Sequence, residues 1–156
     1  TINAQETAVT LYEKVSQLGA KLLPYVKKKK MEGLLSPIPQ NHNKATYCHK
    51  IEKEDGCVDP QKMTAEKIFN HFRAYIIWPT TFLVIKGKKL KLIDIAMDSI
   101  SEEALKAKPG ELIKKSDGSF GLGTTKGVII LKKVQLEGKN AMGIEDFLRG
   151  NSTFFA

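Results

Sequence analysis

The chain has 156 residues, the size of one domain, and its 42% hydrophobic and 27% charged residues are typical of globular proteins. No apolar run is long enough to span a membrane, and the first residues lack the pattern of a secretory signal, so we expect a cytoplasmic protein. The 25 Lys and Arg residues against 17 Asp and Glu give a net charge of +8. Such an excess is typical of proteins with phosphate-rich partners, and solvated surface lysines also produce it.

Residues 4–32 are predicted to form one amphipathic helix. Asn3 and Glu6 have the spacing of an N-terminal capping box, and Gly33 stands where a C-terminal capping glycine is expected. Apolar residues recur at intervals of three and four, which draws one stripe along a helix. The stripe comprises Leu11, Val15, Leu18, Leu22 and Val26. A single helix cannot bury such a stripe by itself, so the sequence predicts a partner surface for it.

Residues 34–59 are predicted to be a linker. Pro37 and Pro39 oppose a helix, and the polar stretch 40–43 has no apolar period. A connection of this length with little structure of its own typically crosses between domains or wraps over one.

Residues 60–156 are predicted to form a domain with a helix followed by many short strands. The helix begins at Asp59–Pro60 or at Thr64 and ends before Pro79. Five strand-like runs follow, separated by hairpin signals that include Asp117–Gly118 and Lys126–Gly127, and a short helix is expected at 143–148. The runs are 82–86, 90–96, 111–115, 120–123 and 128–136.

This order predicts a mainly β fold with flanking helices. We expect a small antiparallel barrel of five or six strands that resembles the OB-fold, preceded by the linker and the long N-terminal helix. An SH3-like barrel has a similar strand pattern and is the competing architecture.

Most of the positive charge falls in the predicted barrel, where residues 60–156 hold 16 cationic and 10 anionic side chains. If the last strand lies beside the second one, their lysines form a basic stripe that suits a phosphate backbone. The candidates are Lys86, Lys88, Lys89, Lys91, Lys132, Lys133 and Lys139. Aromatic residues that would stack on unpaired bases are nearly absent there, which favours a duplex or folded RNA over a single strand. The alternative is a solvated lysine edge that prevents strand pairing between molecules.

The residues predict neither an active site nor a metal site. No serine or cysteine stands in a nucleophile motif, and no pair of carboxylates has the spacing of an acid and a base. Cysteine and histidine are suitable zinc ligands, and four of them lie in or beside the linker: His42, Cys48, His49 and Cys57. The spacing of these four residues matches no standard zinc motif. With only two cysteines, we expect reduced thiols.

Several strings, in this order, resemble methionyl-tRNA formyltransferases. Phe72-Arg73-Ala74 followed by Trp78-Pro79 is similar to the I-R-A and N-P-W-P segments of that family. The tract 135–142 is similar to its closing Q-x-x-G-K-x-A-M and is the most specific part, and 146–150 is similar to its D-F-L-x-G. The resemblance covers nearly the whole chain.

This resemblance implies that the chain is the C-terminal part of such an enzyme. Residues 1–33 would be the last helix of a catalytic domain that precedes this chain and uses 10-formyltetrahydrofolate as formyl donor. The barrel would help to hold initiator methionyl-tRNA. By match to the family motifs, Arg73 and Lys139 join the other lysines as candidate tRNA contacts. We expect this segment to be monomeric, to bind no cofactor and to be inactive without the catalytic domain.

The chain departs from the family pattern near Trp78, where Ile76–Ile77 replace Asn-Pro and Thr80 replaces a glycine. Two other functions remain open at this point. One is the C-terminal domain of a formyltransferase that acts on a nucleotide sugar, whose small substrate leaves the positive charge unexplained. The other is an RNA-binding module without an attached enzyme.

Overall fold

A computed structural model describes residues 1–98 and 100–155. The chain divides into two compact units, Thr1–Ile51 and Glu52–Ala156. In the part of the chain that the structure describes, no helix combines the length and hydrophobicity needed to cross a membrane.

The first unit contains one long helix, α1 (Ala8–Met31), which begins later than the sequence predicts. Thr7 is the N-cap, and Thr7 and Thr10 form the reciprocal capping box that was expected of Asn3 and Glu6. A threonine pair one turn further along satisfies the free N–H groups of the helix start, so residues 4–6 stay outside the helix.

The C-terminus of α1 confirms the predicted capping glycine. Gly33 has a φ of +71°, a left-handed conformation that glycine adopts without steric cost. The N–H of Leu34 donates to the carbonyl of Lys29, and the N–H of Gly33 donates to that of Lys30. These are the two hydrogen bonds of a Schellman motif.

The apolar stripe of α1 is exposed. All 24 residues of this helix are described, and none is buried. Val15, Leu18 and Leu22 each expose more than half of their surface. Beyond α1, residues 34–51 contain only a short 3-10 turn, His42–Lys44.

The second unit begins at Glu52, inside the segment that the sequence assigns to the linker. A 3-10 turn (Lys53–Gly56) is followed by Val58, which is 3% exposed and donates its N–H to the carbonyl of Phe82. This segment therefore packs as part of the second unit.

A six-stranded antiparallel sheet forms the second unit, as the predicted fold class requires. It curls into an open barrel with strand order β1-β2-β5-β4-β3, and β6 pairs with β5. The strands are β1 (Phe82–Ile85), β2 (Lys88–Asp98), β3 (Leu112–Lys114), β4 (Phe120–Gly123), β5 (Val128–Leu136) and β6 (Met142–Gly143). The first five confirm the five predicted runs, and β6 is the sixth strand that the predicted barrel allowed, although no run was assigned to it.

Among the described residues, three helices flank the sheet: α2 (Ala65–Ala74), α3 (Glu102–Lys106) and α4 (Ile144–Gly150). Thr64 caps α2, which decides between the two starts that the sequence allowed. Ile68 and Phe72 of α2 join the hydrophobic core with Leu90 and Leu92 of β2. The helix α3 was not predicted, because five residues are too few to show a helical period.

Gly123 at the end of β4 marks a close approach between two backbone segments. A Cβ atom at this position would lie 2.0 Å from the carbonyl oxygen of Lys108. The same glycine donates its N–H to Glu111 and accepts from the N–H of Gly110, so its backbone is held on both sides. The loop before β3 can pack against β4 only because the side chain is a hydrogen atom.

We expect Gly123→Ala to lower the free energy of unfolding by about 2–3 kcal/mol, because the methyl group forces two hydrogen-bonded segments apart. Denaturant unfolding measures this change. Gly150→Ala is the matched control, since its Cβ meets no atom within 4 Å, and we expect it to stay within about 0.5 kcal/mol of the parent. Equal losses in both variants would contradict the steric explanation.

Asp98, at the end of β2, forms an ion pair that links this strand to the β3–β4 hairpin. Its carboxylate accepts from the Lys115 ammonium at 2.6 Å, and the side chains are only 15% and 10% exposed. The hydroxyl and N–H of Ser101 also donate to it. Lys115 first, and then Ser101, hold the pKa of Asp98 well below its usual value.

A carboxyl whose pKa is lowered by folding stabilises the native state above its unfolded pKa of about 4, and this contribution is lost as the pH falls below that value. We expect Asp98→Asn to lower the free energy of unfolding at pH 7 by about 2 kcal/mol. Between about pH 5 and pH 2, the free energy of unfolding of the variant should also fall by less than that of the parent chain. Urea unfolding across this pH range tests both effects. Glu102→Gln, in the exposed pair with Lys106, is the control and should change stability by less than about 0.5 kcal/mol.

Candidate nucleic-acid interface

The strands β2 and β5 lie side by side, as the predicted basic stripe requires. Their antiparallel register runs from Leu90 opposite Leu136 to Asp98 opposite Val128. Neighbouring strands are about 4.8 Å apart, so side chains on the same face of this pair are neighbours.

The first half of β2 separates apolar and basic side chains onto opposite faces. Leu90 and Leu92 are buried in the core, whereas Lys89 and Lys91 are exposed on the other face. Successive side chains of a strand point to opposite faces, so this alternation follows directly from the sequence. We call the face that carries these two lysines the outer face.

An irregularity in the pairing brings two consecutive lysines of β5 onto the outer face. Asp94 pairs with Lys133 and the next residue, Ile95, pairs with Leu131, so the register passes over Lys132. A bulge of this kind interrupts the alternation. Lys132 and Lys133 are consequently both exposed, between the buried Leu131 and Val134 on either side.

The turn after β5 brings Lys139 next to the same strands. The side-chain amide of Gln135 donates to the carbonyl of Lys139 at 2.8 Å, and Gln135 lies opposite Lys91 in the register. Glu137 donates its N–H to the carbonyl of Lys89 at 3.0 Å. Gln135 therefore connects the turn to the outer face. It was part of the recognised motif, but no role in positioning was predicted for it.

Lys86 and Lys88 lie at the β1–β2 turn, beside this face. Lys86 has a φ of 51°, and its ammonium donates to the carbonyl of Thr153 at 2.7 Å, which ties it to the C-terminal segment. Lys88 is exposed and lies opposite Ile85, and by the alternation of β2 it belongs to the face of Leu90, not to the outer face. The structure thus brings Lys89, Lys91, Lys132 and Lys133 onto one face. It places the backbone of Lys139 beside this face and leaves Lys86 and Lys88 off it.

Arg73 lies on a different side of the sheet from these lysines. It is in the last turn of α2, whose Ile68 and Phe72 pack into the core. Its guanidinium donates to the side chain of Asn70 at 2.7 Å and stacks 5.7 Å from the centre of the Phe69 ring.

The outer face carries more positive than negative charge. Asp94, opposite Lys133, is an acidic residue within the paired strands, and Glu137 follows at the turn. The Lys89 ammonium lies 4.9 Å from the centre of the Phe82 ring, which fixes the side chain by a cation–π contact. Lysines on neighbouring strands repel one another unless a polyanion neutralises them.

Among residues 1–98 and 100–155, no three His, Cys, Asp or Glu side chains come together as a metal site. Cys48 and Cys57 are both free thiols and both exposed. A cavity of about 420 Å³ lies beside β1 and is lined in part by Cys57, Asp59 and Gln61. Partial burial raises the pKa of the Cys57 thiol, and the neighbouring Asp59 adds to this effect. This thiol is therefore not activated as a nucleophile.

Residues 50–152 match the family model of the formyl transferase C-terminal domain. The chain belongs to this family. Its relatives include a protein of Lachnospira eligens, 34% identical over 152 residues, and one of Nitratiruptor, 38% identical over 160 residues, both called methionyl-tRNA formyltransferase. The alignments cover 96% and 99% of this chain but 48% and 49% of those proteins. The chain thus spans about half the length of the curated relatives it matches.

Solved structures of HypX from Aquifex aeolicus have a similar fold. One variant aligns with a TM-score of 0.62 at 19% identity and covers 92% of this chain and 26% of HypX. A structure of HypX in complex with tetrahydrofolic acid aligns with a TM-score of 0.55 at 19% identity, over 82% of this chain and 22% of HypX. At these identities the likeness shows the fold alone.

Proposed function

We propose that this chain is the tRNA-binding C-terminal segment of a methionyl-tRNA formyltransferase and that the outer face of β2 and β5 contacts the phosphate backbone of initiator methionyl-tRNA. The observation that carries the proposal is the concentration of exposed lysines on these two paired strands. Support also comes from the relatives of this chain, which are called methionyl-tRNA formyltransferases.

The chemistry of the outer face favours phosphate over bases. Lysine is a point charge on a flexible stem, which suits a phosphate but lacks the planar fork with which arginine reads a base edge. Phe82 contacts Lys89, which covers its ring, and it is only 7% exposed, so it offers no platform for an unpaired base. A folded RNA, recognised by shape and backbone, fits this surface best.

In the whole enzyme, the formyl group would pass from 10-formyltetrahydrofolate to the amino group of the tRNA-bound methionine. We assign none of the described residues to the folate, whose site we expect in the part of the relatives that this chain does not span. The task of this chain would be to hold a large substrate in position, because a misplaced amine loses most of its effective concentration. We expect a cytoplasmic, monomeric segment that has no formyltransferase activity by itself.

We expect the chain to bind initiator tRNA with an affinity that falls steeply with salt, and to bind an elongator tRNA and an RNA duplex almost equally well. Each lysine–phosphate contact releases counterions and adds about 0.7–0.9 to the slope of log K against log salt. Fluorescence anisotropy from 50 to 300 mM salt measures the slope. Absence of binding at the lowest salt would contradict the proposal.

Replacing Lys89, Lys91 and Lys133 by alanine should lower the affinity for tRNA roughly 10- to 100-fold and reduce the salt slope by about 2–3. A triple variant that loses the same charge elsewhere is the control. Lys106, Lys108 and Lys126 suit this purpose, because they are exposed and lie beyond the opposite end of the β2–β5 pair. An equal loss of affinity in both variants would indicate a non-specific charge effect and would contradict the assignment to the outer face.

A further inference from the structure

A small cavity lies where α2 meets β2, away from the outer face. Its volume is about 90 Å³, and it is lined by Phe72, Ile76, Thr80, Thr81, Leu92 and Ile93. Four of these residues are apolar, so the two threonines supply the polar side chains of its wall.

Both threonine hydroxyls are buried and lack a hydrogen-bond partner among the described residues. Thr81 is 1% exposed, which leaves its hydroxyl no access to bulk solvent. A buried polar group without a partner is destabilising, and native proteins leave few of them. Thr124 is the contrasting case: it is 2% exposed, and its hydroxyl contacts the carbonyls of Lys126 and Gly127 at 2.9 and 2.7 Å.

Ile93, on the β2 side of the cavity, also stands outside the regular ladder. The pairing with β5 passes from Leu92 opposite Val134 to Asp94 opposite Lys133, so Ile93 has no opposite residue. A bulged residue is left unpaired in the ladder. Ile93 and its neighbour Leu92 both line the cavity, so the irregular part of the ladder borders this space.

We propose that this cavity is a binding site for ordered water, held by the hydroxyls of Thr80 and Thr81. A buried water needs a volume of roughly 10–15 Å³ and between two and four polar partners. The cavity exceeds that volume several-fold, and the two threonine hydroxyls supply the required pair of polar partners. Such a water bridges groups that cannot reach each other, at little cost.

The site lies where α2, β2 and the connection into β1 contact one another. Phe72 comes from α2 and Leu92 from β2, and Thr80 and Thr81 belong to the connection that leads into β1. Arg73 and Lys91 are the immediate chain neighbours of Phe72 and Leu92. A water bound here helps to fix how the helix and the strand that carry these cations are arranged, whether or not the domain binds RNA.

The replacement of Thr81 by valine distinguishes a hydrated hydroxyl from an unpaired one. Valine has the same shape, so the variant removes the hydroxyl and little else. If water satisfies the hydroxyl, Thr81→Val loses hydrogen bonds and lowers the Tm by about 3 °C. If the hydroxyl has no partner, its removal is favourable and the Tm rises. Thr124→Val, which loses direct hydrogen bonds, is the control and must lower the Tm.

A crystal structure of the parent chain at about 1.5 Å resolution provides an independent measurement. Electron density within 3.2 Å of both threonine hydroxyls supports the proposal. Absence of density there, or a direct hydrogen bond from the Thr81 hydroxyl to a protein carbonyl, overturns it. A rise in the Tm of Thr81→Val also overturns it, and a variant that fails to fold leaves the decision to the crystal structure.

Discussion

The antiparallel pairing of β2 with β5 is the constraint on which the second unit depends. It is the longest pairing in the sheet, and it joins the β1–β2 hairpin to the strands that follow α3. The two strands also divide the side chains, with apolar residues toward the core and lysines toward solvent. Core and candidate interface are therefore two faces of one structure, and the register that buries Leu92 against Val134 also sets the positions of the lysines.

The bulges on this strand pair explain how the domain buries its apolar residues and still exposes its lysines. A regular strand would turn one of Lys132 and Lys133 toward the core, where a buried ammonium is costly. The register shift turns both outward and restores the inward direction of Leu131 and Val134. On β2, the shift next to Ile93 borders the small cavity. The irregularity at Lys132 thus affects the outer face of this strand pair, and the irregularity at Ile93 affects the side that borders the small cavity.

The connection between α2 and β1 has an irregular backbone. Thr80 has a φ of 69°, which is unfavourable for a β-branched residue, at the position where the resembling family has glycine. A Cβ atom on Gly56 would lie only 2.0 Å from the carbonyl oxygen of Thr80. The 3-10 turn of Lys53–Gly56 therefore packs closely against this connection. The departure from the family pattern is thus located in a tightly packed segment that also lines the small cavity.

The amino-acid sequence by itself determined most of the strands, their hairpin turns and the C-terminal cap of α1. These features depend on local rules, namely the alternation of side chains and the conformations that glycine allows. It also indicated the family and the lysine-rich strands. The start of the second unit at Glu52, the two-residue β6 and the short α3 were beyond its reach, because such features have too few residues for a periodic signal.

Only the tertiary structure decided which cations share a face. Lys132 and Lys133 lie together with Lys89 and Lys91 because of a bulge that exists only when β5 is paired with β2. Arg73, which the resemblance to the family adds to the candidate tRNA contacts, lies on a helix that packs toward the core. The burial of Thr81 likewise depends on the contact between α2 and β2. No pattern in the sequence around Thr81 indicates that contact. Register and packing are non-local, so residues that look alike in sequence acquire different surroundings.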